Sequence, residues 1–420
     1  MAKRKIIVGL DVGTTTVRTV VAERMSEEES VRIIGVGQST SFGMRRGAVV
    51  DSEETSRAIA ESVEVAEKMA GIMVDRAVVS IGGVGVSAKE SKGVVAVGKA
   101  DGEVMEDDLQ RVITAAQAIS IPLNKEIIHI IPRTYRLDEQ GDIKDPIGMH
   151  GVRLEVDATV IEAPVAHIKN LTKALYGANI DPEDLILEVL AASKAVLDKR
   201  QKELGVIVVT IGGSTTSLAV FEEGDLIHTA ILPVGGGHIT NDIAIGLRTS
   251  IDIAEKIKLA YGNATTDGID RREEIDLANV DDHEEGVVLR YHIVEIIEAR
   301  LEELFGMVQK ELKAIGKAGL LPAGVVLTGG GAELPQIIDC AKECLGLPAT
   351  IGSPVRLGGI LDKVDQPSFA TAVGLILWNA EQSATPSRRG AIGTRMIGNI
   401  SDNMEDTIGR VRKWFEKFLP

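Results

Sequence analysis

The sequence contains little cysteine, few aromatic residues and no long apolar run. Its two cysteines, Cys340 and Cys344, stand four residues apart in a helical pattern. This excludes a disulfide framework and favours buried helix residues in a reducing cytoplasm. No apolar run approaches the roughly 20 residues that a membrane-spanning helix needs. Aromatic residues make up only 3%, whereas the 44 glycines favour an α/β protein packed from small side chains.

Acidic residues outnumber basic ones, with 62 Asp and Glu against 46 Lys and Arg. The formal net charge is −16, and a phosphate backbone demands a basic protein face, so we expect no nucleic-acid partner. The apolar share of 44% and the charged share of 26% are ordinary for a soluble globular protein. A chain of 420 residues is long for one core, which predicts two or more domains.

A turn rich in threonine stands close to the start of the chain. The apolar run 6–10 leads into Asp11 and Gly13, and apolar residues return at Val17. This pattern predicts two strands joined by a tight turn whose backbone N–H groups suit phosphate oxygens. Asp11 is placed to hold Mg²⁺ directly or through water, although an ordinary hairpin is the competing interpretation. The turn hydroxyls that add donors belong to Thr14, Thr15 and Thr16.

Two later stretches repeat this layout. The apolar strand 206–211 is followed by a turn of glycine and hydroxyl residues and by a second strand, 216–221. A third glycine turn follows the strand 325–328 and leads into a helical pattern. This repetition predicts two related halves that close on one nucleotide. The turn residues are Gly212, Gly213, Ser214 and Thr215 in the second stretch, and Gly329, Gly330 and Gly331 in the third.

These turns resemble the first phosphate, second phosphate and adenosine motifs of the actin, heat-shock-chaperone and sugar-kinase ATPases. Over nearly its full length the chain is similar to the FtsA family, the actin-like membrane tethers of the bacterial cell-division ring. The stretches 146–155, 187–193 and 367–374 add to that similarity. It implies an α/β, actin-like (ribonuclease H-like) two-lobed ATPase fold with an inserted α+β domain and a C-terminal amphipathic helix.

The resemblance also implies a division of the chain into domains. The first lobe is interrupted by the insert, its return segment is expected to be helical, and the second lobe carries a subdomain. The expected boundaries are 1–86 and 165–198 for the first lobe, 87–164 for the insert, 199–244 and 320–381 for the second lobe, 245–319 for its subdomain, 382–403 for a flexible linker and 404–420 for the amphipathic helix.

Several site residues receive roles from the resemblance. Glu188 corresponds to the residue that orients the attacking water, so it and Asp11 are the catalytic candidates. Val189 stands where the family often has proline, and the polar side of a helix is the alternative interpretation of Glu188. Thr210 replaces the usual Asp before the second turn, and because a hydroxyl supplies no negative charge, we expect slow hydrolysis. Arg18 is grouped with the phosphate-binding residues.

Further cofactor contacts are expected in the second lobe. Gly236 and Gly237 open a helix, and a helix N-terminus suits phosphate. Glu255 and Lys258 share one helical face because they stand three residues apart. They resemble the pair that contacts ribose and adenine in the heat-shock-chaperone ATPases, with a solvated ion pair as the alternative.

The partner predictions also come from the resemblance. The subdomain 245–319 is similar to the part of FtsA that grips the C-terminal tail of FtsZ. Arg300 and Glu303 lie on the polar side of its long predicted helix, 287–313, where a solvated helix face is the alternative interpretation. The insert is expected to mediate self-association into filaments and contacts with later division proteins.

The last part of the sequence reverses the charge. Residues 385–420 carry a formal charge of +3, which leaves −19 for the rest. At about 100° per residue, the apolar side chains of 404–420 fall within an arc of about 140°. A cationic amphipathic helix behind a Ser/Thr/Gly/Arg-rich linker fits an anchor on membrane lipids, and docking on the protein itself or on a partner is the alternative. The anchoring face consists of Ile408, Val411, Trp414, Phe415, Phe418 and Leu419.

These features predict a peripheral protein on the cytoplasmic side of the cell membrane at the division site. It would bind ATP and Mg²⁺, polymerise, tether the FtsZ ring and recruit later division proteins. One alternative is the actin-like scaffold of type IV pilus assembly. The other is a small-molecule kinase, which needs an acceptor cleft with a catalytic Asp that the sequence does not reveal.

Overall fold

The computed structural model describes residues 4–25, 31–118, 121–281, 286–354 and 357–384. In these residues the chain forms two lobes, each built on one sheet, and a smaller module with its own sheet inserted into the first lobe. The buried apolar side chains form three clusters, one centred on each part, and the cluster of the first lobe extends to second-lobe residues such as Val206 and Phe221. The described residues therefore fold around three hydrophobic cores instead of one.

The first lobe opens with an antiparallel meander followed by a helix and a parallel strand. The helix occupies the predicted span because Asp51 caps its N-terminus through the N–H groups of Glu53 and Glu54, and Gly71 ends it at φ 67°. The elements are β1 (Arg4–Val12), β2 (Thr16–Met25), β3 (Val31–Thr40), β4 (Met44–Arg45), β5 (Ala48–Val49), α1 (Ser52–Ala70) and β6 (Arg76–Ile81).

The inserted module is an antiparallel sheet with one helix. Its elements are β7 (Ser87–Ala96), α2 (Glu106–Ala116), β8 (Lys125–Leu137), β9 (Gln140–Ile143) and β10 (Arg153–Pro164). The strand order is β7-β10-β8-β9, so the two longest strands lie in the middle. Ile128 and Ile161, near the base of these strands, belong to the core of the first lobe. The α+β insert that the resemblance implied is confirmed, and the strand ends nearest the first lobe pack into the core of that lobe.

The chain returns to the first lobe through α3 (Val165–Gly177), β11 (Asp181–Leu187), α4 (Glu188–Val196) and α5 (Lys199–Leu204). The strand β11 corrects the expectation of helices throughout 165–198. One proline and three acids are poor strand residues. They are tolerated because β11 is an edge strand that pairs with β6 alone and carries a bulge between Pro182 and Asp184.

The second lobe contains most of the remaining elements, but the end of the described chain returns to the first lobe. Gly358–Gly359 pairs with β3, and the helix Ala370–Ala384 packs against α4 and β1. The expected assignment of 320–381 to the second lobe is therefore wrong for these two elements.

The long helix begins at Arg290 rather than at residue 287, because Val287–Leu289 pairs with Glu274–Asp276 in a short two-stranded sheet. The last described helix runs to Ala384, past the expected linker start at residue 382. The elements are β12 (Val206–Ile211), β13 (Thr216–Glu222), β14 (Asp225–Leu232), α6 (Gly236–Leu247), α7 (Ile251–Tyr261), β15 (Glu274–Asp276), β16 (Val287–Leu289), α8 (Arg290–Ala314), β17 (Val325–Thr328), α9 (Ile337–Leu345), β18 (Ala349–Ile351), β19 (Gly358–Gly359) and α10 (Ala370–Ala384).

The sheets of the two lobes have the same topology. The first has the order β11-β6-β1-β2-β3-β19, and the second has the order β14-β13-β12-β17-β18. In each lobe three consecutive strands form an antiparallel meander, which is β1-β2-β3 in the first lobe and β12-β13-β14 in the second. The free side of the first meander strand pairs with a parallel strand, which pairs in turn with a second parallel strand. These strands are β6 and β11 in the first lobe, and β17 and β18 in the second. The predicted two related halves are therefore confirmed, and the hairpins β1–β2 and β12–β13 occupy equivalent positions.

Candidate functional site

The candidate site lies where the carboxyl ends of the parallel strands of both sheets meet. In the first sheet, β1, β6 and β11 run parallel and end next to Gly13, Gly82 and Glu188. In the second sheet, β12 and β17 run parallel and end next to Gly212 and Gly329. Open α/β sheets bind ligands at this edge, so most of the predicted site residues are gathered in one place.

The two predicted phosphate turns touch each other across the lobes. The N–H of Gly13 closes the first turn on the carbonyl of Thr16 at 3.2 Å. The hydroxyls of Thr14 and Ser214 share a hydrogen bond of 2.8 Å. A Cβ added to Gly213 would lie 2.5 Å from the methyl carbon of Thr15, so the second turn needs glycine there. The two turns therefore form the floor of one cleft.

Asp11 is held at the base of the first turn by a serine that the sequence analysis missed. The hydroxyl of Ser80, at the end of β6, donates to Asp11 Oδ1 at 2.7 Å and accepts from the N–H of Val12 at 3.1 Å. Burial raises the pKa of the Asp11 carboxyl, while the hydrogen bond from Ser80 and the charge of Arg18 oppose the rise. Ser80 thus orients the carboxylate, and Ser80 and Arg18 together offset only part of the cost of burying its charge.

Arg18 lies directly opposite Asp11 on β2. Its guanidinium carbon lies 5.4 Å from the centre of the Phe369 ring. Burial lowers the pKa of Arg18, and the charges of Asp11 and Glu333 counteract this. The buried Nε of Arg18 has no hydrogen-bond partner among the described residues. A buried cation with an unused donor is suited to an anionic ligand.

Glu188 is the first residue of α4 and faces the same cleft. The hydroxyl of Ser217, in the second lobe, donates to Glu188 Oε1. A Cβ at Gly82 would lie 2.6 Å from Glu188 Oε2, so the backbone of that glycine packs closely against the carboxyl. Burial raises the pKa of Glu188 to about 7; the hydrogen bond from Ser217 lowers it, and the nearby charge of Asp11 raises it further. The carboxyl is therefore half-ionised near neutral pH.

Thr210 holds the position in the second hairpin that Asp11 holds in the first. It lies opposite Ser217 in the strand pair, as Asp11 lies opposite Arg18. It is only 7% exposed, and its hydroxyl finds no hydrogen-bond partner in the part of the chain that the structure describes. Ser217 itself was missed by the sequence analysis, although aligning the two hairpins would have identified it as the counterpart of Arg18.

Gly236 and Gly237 support the second turn. Their N–H groups donate to the carbonyls of Gly212 at 2.8 Å and Gly213 at 2.7 Å. These two N–H groups are therefore already engaged within the protein. Their assignment to the cofactor site stays a prediction, and the structure shows them holding the turn through the start of α6.

Glu255 and Lys258 are joined to the same helix start. The Lys258 ammonium donates to Glu255 Oε2 at 2.6 Å, to the Thr240 hydroxyl at 2.9 Å and to the carbonyl of Gly236 at 3.3 Å. The Lys258 side chain is only 12% exposed. The Glu255 side chain is 42% exposed, so the pair is buried on the lysine side only. It ties α7 to the first turn of α6, and its role in binding ribose and adenine stays a prediction.

The third glycine turn combines tight packing with an open face. Gly329 has φ 83°, and a Cβ there would lie 2.6 Å from the carbonyl oxygen of Ile211. A Cβ at Gly331 would collide with the Ile211 side chain, whereas at Gly330 it would meet nothing within 4 Å. Gly330 is exposed. Gly329 and Gly331 are thus required for packing on the second hairpin, and only Gly330 borders open space.

The predicted partner residues lie on a separate surface of the second lobe. Arg300 on α8 forms a two-pronged ion pair with Asp242 on α6, with Nε and Nη2 at 2.6 and 2.9 Å from the two carboxyl oxygens, and it also contacts Glu303. They border a shallow hollow of about 390 Å³ whose lining includes Ile245, which is 76% exposed. The charges are therefore mutually paired around an apolar patch.

The predicted anchor face, from Ile408 to Leu419, lies outside the described residues. Among the helices that the structure describes, none is long and apolar enough to cross a membrane.

Sequence comparisons decide the family. A family profile described as "SHS2 domain inserted in FTSA" matches residues 83–162, and one described as "Cell division protein FtsA" matches residues 207–374. The chain is 35% identical to cell division protein FtsA of Pseudomonas aeruginosa over 98% of both chains. The chain belongs to the FtsA family of cell division proteins. FtsA of Bacillus subtilis is 36% identical over 94% of this chain and 88% of its own, and FtsA of Escherichia coli is 33% identical over 99% and 98%.

Solved structures agree on the fold. A chain of the PilM-PilN type IV pilus biogenesis complex is 18% identical, with a TM-score of 0.63 over 89% of this chain and 98% of its own. MreB5 of Spiroplasma citri bound to ADP is 13% identical, with a TM-score of 0.53 over 91% and 98%. At such identities the similarity concerns the fold alone. It confirms the actin-like two-lobed architecture of this FtsA-family chain.

Proposed function

We propose that this FtsA-family chain binds ATP with Mg²⁺ in the cleft between the two phosphate turns. The observation that carries the proposal is the meeting of the turns 13–16 and 212–215 at the Thr14–Ser214 hydrogen bond. Asp11 stands at the end of the strand that leads into the first turn, and its charge acts on Glu188. Donor-rich glycine turns suit phosphate oxygens. MreB5, which shares the fold, has been solved with ADP and with AMPPNP, which supports a nucleotide in the equivalent cleft.

The residues present fit a metal-bound triphosphate. Two buried polar atoms of the cleft, Arg18 Nε and Thr210 Oγ1, lack partners among the described residues, and an incoming phosphate or its hydration would satisfy them. Asp11 would hold Mg²⁺ through water, and Thr210 would hydrogen-bond a metal-bound water without adding charge. When bound, Mg²⁺ would offset the negative charge of the phosphates.

Glu188 is suited to accept a proton from an attacking water. A general base works best when its pKa lies near the operating pH, and burial brings the pKa of Glu188 to about 7. Ser217 from the second lobe and the backbone of Gly82 orient its carboxyl. With one charged metal-facing residue, Asp11, and a neutral one, Thr210, turnover is expected to be slow.

The cellular part of the proposal follows the family. The chain would polymerise on the cytoplasmic side of the cell membrane at the division site, hold the FtsZ ring there and recruit later division proteins through the inserted module. The hollow at Arg300 and Glu303, with its apolar patch and charged rim, is suited to an extended peptide such as the FtsZ tail. Each C-terminal helix would bind the membrane weakly, but a polymer would carry many such helices, so its overall affinity for the membrane would be high through multivalency.

The membrane part has its own test on vesicles of anionic lipid. The full chain should bind them, Trp414→Phe should keep most of that binding, and Trp414→Glu should lose it because a charge enters the apolar face. Binding by Trp414→Glu at the wild-type level would refute the anchor.

The pilus scaffold and the small-molecule kinase are the competing functions. The fold similarity to PilM comes with only 18% identity, against 35% to an FtsA, which favours cell division. Binding of an FtsZ tail peptide by the wild-type chain, with loss in Arg300→Glu, supports the division proposal. Robust phosphate transfer to a sugar or acid would support a kinase instead.

The nucleotide proposal is tested at Gly330. Because a Cβ at this position meets open space, Gly330→Ala and Gly330→Asp should both fold, with melting temperatures near that of the wild type. Gly330→Ala should bind ATP within about threefold of wild type, and Gly330→Asp should weaken binding about 100-fold through charge repulsion and blockage. Retained affinity in a folded Gly330→Asp would show that the site lies elsewhere.

A further inference from the structure

A histidine of the inserted module holds the main chain beside Glu188. His129 stands on β8, opposite Ile161 of β10. The N–H of Leu187 donates a hydrogen bond of 3.0 Å to His129 Nε2. Leu187 is the last residue of β11, so the residue that follows it is Glu188. The imidazole therefore fixes the backbone where the strand turns into α4.

Burial makes this contact strong and specific. His129 is only 1% exposed, and burial lowers the pKa of its imidazole to about 4. The ring is therefore neutral at physiological pH, and because Nε2 accepts the hydrogen bond, the ring proton resides on Nδ1. Nδ1 has no partner within the described residues. A variant without an acceptor would leave the buried Leu187 N–H unsatisfied, which is costly.

The surroundings of His129 connect the inserted module with the helices α4 and α10 of the first lobe. Its ring centroid lies 5.8 Å from that of Trp378 on α10. The helices α10 and α4 approach so closely that a Cβ at Gly374 would collide with the main chain of Ala191. His129 of the inserted module thus contacts both the turn into α4 and the helix α10. Any displacement of the imidazole would be passed to the start of α4.

We propose that His129 is a positioning residue for Glu188, through which the inserted module fixes the turn that presents this carboxylate to the attacking water. The inference rests on the proposed ATP site. In the step concerned, the water oxygen bonds the γ-phosphorus and the bond to the β,γ-bridging oxygen breaks. The water proton passes to Glu188, and ADP and inorganic phosphate leave. Ser217 and Gly82 hold the carboxyl, and His129 holds the main chain behind it.

The test uses the full chain and three substitutions at one position. His129→Gln keeps an acceptor near the place of Nε2. His129→Met has a similar length but offers only a weak thioether acceptor, and His129→Asn is polar but too short to reach Leu187. ATP affinity is measured by titration, and the chemical step is measured as phosphate release in a single turnover, so that binding and chemistry are separated.

We expect His129→Met and His129→Asn to release phosphate about tenfold more slowly than wild type, because small displacements of a catalytic group are costly. Their ATP Kd should stay within about twofold, and His129→Gln should restore the rate to within about twofold. A purely structural role would not separate rate from affinity, and Gln would not rescue it.

Several results would overturn the inference. These are unchanged phosphate release in the two loss variants, equal slowing in all three variants, or unfolding of both loss variants while His129→Gln folds. A wild type that binds ATP but releases no phosphate would also overturn it, leaving the binding proposal intact. A wild type that does not bind ATP would remove the proposed function itself, which distinguishes the two failures.

Discussion

The two hairpins of the cleft have the same backbone and different chemistry. Each turn spans four residues and is closed by a glycine N–H, from Gly13 at 3.2 Å in the first and from Gly212 at 2.9 Å in the second. In the strands below, the paired residues are Asp11 with Arg18 in the first hairpin and a threonine with a serine in the second. The first hairpin therefore contributes an acid and a base, and the second hairpin contributes only hydroxyls at the equivalent positions.

The difference shows that the two copies of the hairpin have different roles in the site. The first hairpin carries the groups suited to a metal and an anion, Asp11 and Arg18. The second hairpin reaches across the cleft, where Ser217 binds the carboxyl of Glu188. A residue of the first lobe is thus held by the second lobe, so the position of Glu188 depends on how the lobes sit together.

The largest expected effect comes from removing the charge of the first hairpin. Asp11→Asn should weaken Mg²⁺-dependent ATP binding about 100-fold, because the metal loses its carboxylate. Thr210→Val, the matched change in the second hairpin, should cost only about threefold. Calorimetric titration with and without Mg²⁺ measures both. Equal losses in the two variants would contradict the proposed division of labour.

A smaller effect is expected from making the two hairpins alike. Thr210→Asp gives the second hairpin the acid that the first hairpin carries at the equivalent position, so single-turnover phosphate release should rise about tenfold. The asparagine in Thr210→Asn has nearly the same shape as aspartate without its charge, so this variant should leave the rate near that of the wild type. A rise in both variants would assign the effect to shape, and a rise in neither would mean that Thr210 does not limit hydrolysis.

The smallest effect concerns the contact across the lobes. Only ionised Glu188 accepts a proton, so phosphate release should rise with pH through the pKa of about 7. The Ser217 hydrogen bond lowers this pKa, so in Ser217→Ala the midpoint should move to higher pH, with a rate about threefold lower at neutral pH. A pH–rate profile measures both quantities, and an unmoved midpoint would mean that the hydroxyl does not act on Glu188.

The same shift has a consequence for stability. The folded-state pKa of Glu188 lies above the usual value of 4.5, so its contribution to stability is fully present below that pH and is lost as the pH rises to about 7. Glu188→Gln removes this dependence. At neutral pH its free energy of unfolding should exceed that of the wild type by an amount on the order of 1 kcal/mol.

Local patterns predicted the repeated hairpins and the helix α1, because turn glycines, caps and alternating apolar residues act over short distances. The strand β11 was missed because its identity depends on the neighbouring β6, which its proline and acids do not reveal. Ser80, Gly82 and His129 were missed for a similar reason. Each acts through a contact with a residue at least 58 positions away, such as Leu187 for His129.

The proposed site requires one triphosphate to lie between the two hairpin turns. A crystal structure of the full chain with Mg²⁺ and a non-hydrolysable ATP analogue tests it most directly. We expect the phosphates between residues 13–16 and 212–215, the metal beside Asp11, and Glu188 facing the terminal phosphate. Analogue bound at another place on the protein, with this cleft empty, would contradict the claim.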